Sequence, residues 1–334
     1  MRYISPRFGL SVLLCLLFAS ACGYAPDLTA TSTSPVHSPD ISIWSPTLQP
    51  SATPIVLPID GGSLLERLGE ILDRMPPSGS NEYIAPTVVD RAAFANVTRA
   101  ILAGDFLTAH RITNEQGYSI TEYTDNGDDE AVDFLLEETA AKRGWGWFVF
   151  RKDPQNELII EAPHPIADMD THLVALDAYR ALDARALLVA GAHRDANTDG
   201  SADVSHTPGS IFQVVHTVLV TQPYPAQDTT IVLQIHGFDS AKHKRYPDVV
   251  LGYDLEAPSV MTAYVQTLKE ALILAGVEVG VCDGNSWEAL CGTRDVLNSI
   301  PTGRSLHIEL NESIREHDKE LIQALIQVFA ARLQ

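Results

Sequence analysis

Four short segments of the 334-residue chain carry side chains whose types and spacing could do hydrolytic chemistry. In "EAPHPIADMDTH", His164 and Asp168 stand four residues apart, so an imidazole and a carboxylate can reach one cation from a single turn. Asp170 is the rival for that carboxylate. In "QIHGF", His236 offers a second imidazole, with His206 in "DVSH" as its rival. Two histidines and one carboxylate hold a zinc ion and leave a fourth position for water. Such an ion lowers the pKa of that water and polarises a scissile carbonyl. A nearby carboxylate then serves as base and proton carrier, and Glu309 in "SLHIELNESIR" is placed for it.

The stretch "GAHRDANTDGSADVSH" has a competing reading. Asp195, Asn197, Asp199, Gly200 and Asp203 fall at the first, third, fifth, sixth and ninth places of a calcium-loop pattern. The twelfth place, where a bidentate glutamate closes a calcium shell, is His206, and "ARALLVAGA" before it reads as a strand. The same run also makes a good turn with no ion. We therefore read the stretch as a wall of the site, with Arg194, Asn197 and His206 facing substrate. A structural Ca2+ on Asp195, Asn197, Asp199 and Asp203 is the subordinate expectation.

Positioning these groups is the task of alternating strands and helices. "WGWFVFR", "NELIIEAP", "ARALLVAGA", "TTIVLQIHG", "GVEVGVC" and "SLHIEL" read as strands. "THLVALDAYRAL", "SIFQVVHTVLV", "APSVMTAYVQTLKEALILAG" and "SIREHDKELIQALIQVFAARL" read as helices. Apolar strands separated by amphipathic helices predict an α/β fold, a mainly parallel or mixed sheet covered on both faces. Upstream, the pattern predicts helices over 61–75 and 86–105, a strand-like stretch over 106–123, and a helix over 130–142. In such sheets ligands bind beyond the carboxyl ends of the strands. Four strand ends deliver His164, Arg194, His236 and Glu309 to that edge. His172, His193, His216, His243, His307 and His317 are read as structural.

A histidine–carboxylate pair after one strand, a histidine in an "IHG" strand end and a glutamate in a late "IEL" strand together resemble the zinc carboxypeptidase fold. Within it, the pattern looks nearest to N-formylglutamate amidohydrolases and poly-gamma-glutamate hydrolases. The resemblance covers about residues 161–315. It implies zinc ligands at His164, Asp168 and His236, Glu309 as general base, and a cationic side chain on the substrate carboxylate. Arg194 is assigned that last role, with Arg294 and Arg315 as alternatives. The chain departs from the family's H-x-x-E pair, since "HPIAD" puts Asp168 one place further on. A different class, an anchored binding protein for an anionic solute, would use the same pocket with Arg194 and Arg294 as clamps. A serine hydrolase is excluded by the lack of a G-x-S-x-G elbow.

Composition sets the surroundings. Arg2 and Arg7 precede an apolar run from Gly9 to Phe18, too short to span a bilayer, and "ASAC" ends in Cys22. This resembles a lipoprotein signal in which Cys22 is lipidated, with Ala19 replacing the usual leucine. Residues 23–57, rich in Ser, Thr and Pro, read as a tether too poor in apolar groups to fold. Residues 58–334 form the α/β domain. With 43 acidic against 23 basic residues, the net charge of −20 argues against nucleic acid and against adhesion to anionic lipid. Contact with a membrane is expected only through the lipid, and the partner is a small anionic or peptide-like substrate. Two thiols on one loop of an exported chain, Cys282 and Cys291, predict a local disulfide.

Overall fold

The chain reaches its sheet through an N-terminal layer that the sequence pattern reads only in part. The structure, a computed structural model, describes residues 56–139, 142–222, 230–254, 259–298 and 304–329. The signal segment through Cys22 and the tether up to residue 55 lie outside the described residues. Ten strands are described: β1 Ile59–Gly62, β2 Tyr118–Asp125, β3 Ala131–Glu138, β4 Trp147–Arg151, β5 Asn156–Ala162, β6 Ala184–Val189, β7 Ile231–Gly237, β8 Val249–Tyr253, β9 Val279–Val281 and β10 Ser305–Leu310. The helices are α1 Leu64–Leu72, α2 Val88–Leu102, α3 Phe106–Glu115, α4 Thr171–Ala181, α5 Ile211–Thr221, α6 Ser259–Leu274, α7 Glu312–Glu316 and α8 Lys319–Phe329. Among the described residues no helix is long and apolar enough to cross a membrane.

The strands form one mixed sheet in the order β1-β2-β3-β4-β6-β5-β7-β10-β8-β9. Its centre, β6-β5-β7-β10, is parallel. One face packs on α1, α4, α6 and α8 through Leu68, Val174, Leu268 and Leu325. The other packs on α2, α3 and α5 through Phe94, Ala109 and Phe212. The expected α/β sheet, covered on both faces, is what the chain builds.

Three local expectations are corrected. The stretch 106–115 is helical, because Asp105 accepts the Thr108 amide as a cap and Ala109 and Thr113 bury one stripe. "AVDFLLEE" is a strand, paired along its whole length with β2. Leu135 faces one core cluster while Phe134 and Leu136 face the other, so the run is buried on both sides and its pattern imitates a helix. The last predicted helix is two, with His317 non-helical between α7 and α8. β8, which pairs antiparallel with β10, went unread in the sequence.

Candidate metal centre and cavity

The carboxyl ends of β5, β6, β7 and β10 open into a cavity of about 850 Å³. His164 follows β5, and its carbonyl accepts the Asp168 amide at 2.9 Å. That single turn is why a spacing of four brings the two side chains together. Asp168 Oδ2 lies 3.3 Å from His164 Nδ1 and 3.5 Å from His236 Nδ1, at the end of β7. Ligands about 2.1 Å from a tetrahedral ion stand about 3.4 Å apart, so these donors are already spaced as the edges of such a shell. The three residues could hold a divalent cation. Asp170 begins α4 in a left-handed backbone conformation (φ 67°) and belongs to no such group among the described residues.

The opposite nitrogen of His164 is also fixed. Nε2 lies 3.0 Å from Asp203 Oδ1, while Asp203 Oδ2 accepts from Arg194 Nη2 at 2.7 Å and faces His206 Nδ1 at 3.0 Å. A carboxylate on the outer nitrogen of a ligating histidine orients the ring and fixes its tautomer. Asp203 therefore belongs to the site, not to a calcium loop. Asp195 is exposed, and Asp199 accepts the Ser201 amide in a local turn. Asn197 is turned away from the cavity, exchanging hydrogen bonds with the Tyr83 backbone and donating to Ser201. The donors of the expected Ca2+ loop thus diverge, and Asn197 anchors the segment and does not face substrate.

His206 and Arg194 do line the cavity. Arg194 Nη1 lies 3.4 Å from His164 Nδ1, beside the point where the three donors converge. Arg294 sits exposed on the outer wall with no acidic partner among the described residues. Arg315 is buried and donates to the carbonyls of Phe238 and Leu310, so it serves as a strap between strand ends. The Cys282–Cys291 disulfide forms and borders the cavity.

Glu309 stands beside His236 in the register of β7 and β10. Its Oε1 is 3.1 Å from His307 Nε2, and its Oε2 is buried without a partner. Behind it runs a row of polar groups that includes His216 and His307, two histidines the sequence reads as structural. Glu161, Gln234 and His307 are neighbours on β5, β7 and β10. Gln234 donates to Glu161 at 3.0 Å and turns its carbonyl to His307, while His216 on α5 meets Glu161 at 2.6 Å. His307 also stacks on His236, with ring centroids 4.2 Å apart. His236, His307 and Glu309 make another close-set group. It is a poor second cation site, because His236 Nδ1 already faces Asp168 and one imidazole would have to lose both protons.

These contacts shift the titrations. Burial opposes charge on His164, but its hydrogen bonds to Asp168 and Asp203 prevail and raise its pKa to about 9. Burial works against the Asp168 carboxylate too, yet His164 and His236 hold it far below its ordinary value. Asp203 is likewise held low, against burial, by His164, Arg194 and His206. His236 is lowered by burial and by His307. Burial raises Asp295, a further acid in the cavity wall. Without an ion, the proton on His164 balances the carboxylates around it.

No protein-family model matches the chain, and the search of curated proteins returns no match. Solved structures with partial likeness include a gene product of Agrobacterium tumefaciens, 14% identical, TM-score 0.40, covering 54% of this chain and 91% of that one. A bacteriophage poly-gamma-glutamate hydrolase is 12% identical, with TM-score 0.38 and coverage of 55% and 88%. An aspartoacylase family protein from Mesorhizobium loti is 11% identical, with TM-score 0.37 and coverage of 59% and 66%.

Proposed function

We propose that the cavity is the active site of a zinc-dependent hydrolase that cuts an amide or peptide bond beside a carboxylate. One observation carries the reading: a single oxygen of Asp168 stands at shell-edge distance from a nitrogen of each of two buried histidines. His164, Asp168 and His236 would hold the ion, which supplies Lewis acidity toward a carbonyl and an acidified water. Glu309 Oε2, buried and without a hydrogen-bond partner, would serve as the base and proton carrier of the site. His307 fixes the other oxygen, so the carboxylate is presented in one orientation.

Arg194 lies beside the metal donors and would stabilise the negative charge that develops on the carbonyl oxygen. Arg294, without an acidic partner among the described residues, gives the cavity wall a cationic group and His206 a hydrogen-bonding one for an anionic or peptide-like substrate. N-acyl amino acids, poly-glutamate and cell-wall peptides have the required chemistry. The "ASAC" signal supports an exported protein held to the cell envelope by lipid on Cys22. Labelled fatty acid should enter the native chain and not Cys22→Ser.

Zinc analysis of the purified protein, with hydrolysis of N-acyl amino acids and γ-glutamyl peptides, tests the catalytic reading. About one equivalent of zinc and chelator-sensitive turnover are expected. Less than about half an equivalent, with no activity restored by added zinc, would end it.

A further inference from the structure

We propose that Asp295 is the outer partner of His236, accepting a hydrogen bond from its Nε2 and so tightening the hold of the site on zinc. The proposal rests on the reading that His164, Asp168 and His236 are the ligands. Its basis is a pair of complementary atoms left open. His236 Nε2 and Asp295 Oδ2 are 3.9 Å apart, on side chains 5% and 2% exposed. Both atoms are buried and neither has a hydrogen-bond partner.

The surroundings fix the rest of Asp295 in place. Asp295 Oδ1 accepts the Leu297 amide at 2.8 Å, and the Asp295 amide donates to the Gly292 carbonyl. The next amide, Val296, donates to the Ser205 carbonyl at 2.7 Å, and Leu297 is fully buried in the core. The backbone is therefore pinned from both sides, and one oxygen remains directed at His236. On the imidazole, Nδ1 faces Asp168 and the ring face is covered by His307; Asp295 Oδ2 lies 3.9 Å from Nε2, while Glu309 belongs to the wider group with His236 and His307 and is held through Oε1 by His307. His164 has the same device already closed, with Nε2 3.0 Å from Asp203. A ligating histidine generally donates its second N–H to a carboxylate, a backbone carbonyl or a water, and losing that partner weakens metal binding about 10- to 100-fold. With an ion on Nδ1, the proton of His236 must reside on Nε2, where Asp295 can receive it. A shift of about 1 Å in either side chain brings the pair to hydrogen-bonding distance.

The test compares wild type, Asp295→Ala and Asp295→Asn by zinc competition against a chromophoric chelator, with thermal melts of the metal-free proteins. Asparagine retains an oxygen for the Leu297 amide, so that variant keeps the local turn. Zinc affinity should fall about 10- to 100-fold in Asp295→Ala and in the same direction in Asp295→Asn. In zinc-loaded wild type, the His236 Nε2 proton should give a downfield imidazole resonance that both variants lose. Equal affinities in all three proteins, with that resonance unchanged, would overturn the role of Asp295 and leave the zinc site standing. Wild type that binds no zinc would instead remove the ligand assignment itself, and the proposal with it.

Discussion

Glu309 and His236 occupy paired positions on β10 and β7, one a candidate base and the other a candidate metal ligand. Their separation is set by the strand spacing of a parallel sheet and not by a loop. Replacing Glu309 by glutamine keeps the shape and removes the basic oxygen. Turnover should fall by about 10²- to 10⁴-fold while bound zinc stays near one equivalent. Unchanged ligand binding with no hydrolysis in either protein would favour the anchored binding protein instead.

Arg194→Ala separates charge stabilisation from metal binding. Asp203 would still meet His164 through Oδ1, so zinc content should hold. The loss should be in kcat, by about 10²- to 10³-fold, as the proposed role of the guanidinium on charge formed during reaction requires. A rise in KM with kcat unchanged would reassign Arg194 to substrate binding alone.

With His164 as a ligand, its proton should make zinc affinity depend on pH. An ion must displace it, so the apparent association constant should climb about tenfold per pH unit between about 6.5 and 9 and level off above. Competition titrations at several pH values read this directly. The metal-free protein should move the opposite way. Because the folded pKa lies above the unfolded one, the stability from protonated His164 is present below about 6.5 and is lost as pH rises through about 9. Thermal midpoints of apoprotein that rise over that window would contradict the assignment.

Removing the disulfide with Cys282→Ser and Cys291→Ser frees a loop of nine residues' separation. Chain-entropy arguments give about 3 kcal/mol of lost stability as an upper figure. The sheet should survive, since only a small satellite cluster, with Phe238, Val250 and Leu290, packs on the bridge. Denaturant unfolding monitored by circular dichroism measures the loss.

The parts of the fold that alternate regularly were legible. β5, β6, β7 and β10 were readable as short, continuous apolar runs bounded by turn residues, and α4 and α5 by apolar residues at helical spacing. β3 was not, since its apolar run continues into "EETAAK" with no turn residue to end it at strand length. His164, Asp168 and His236 were legible because strand ends collect function in this architecture. Asp203 was hidden by a calcium-like pattern, although its position three residues before His206 puts both on one turn. His307 and Gln234 carried a visible signal: each lies two residues before a proposed site residue, hence on the same face of its strand. Asp295 had none, because nothing in "GTRDVLN" reports that a loop will carry it beside His236.

The row Glu161–Gln234–His307 lies where an ordinary sheet would pack aliphatic side chains against α5. Buried charges and amides of this kind seldom outperform well-packed hydrocarbon in stability. A lineage screened for heat resistance alone would be expected to trade them for leucine and valine, emerging tougher and inert. In that sense the middle of the molecule carries a feature that toughness alone does not call for.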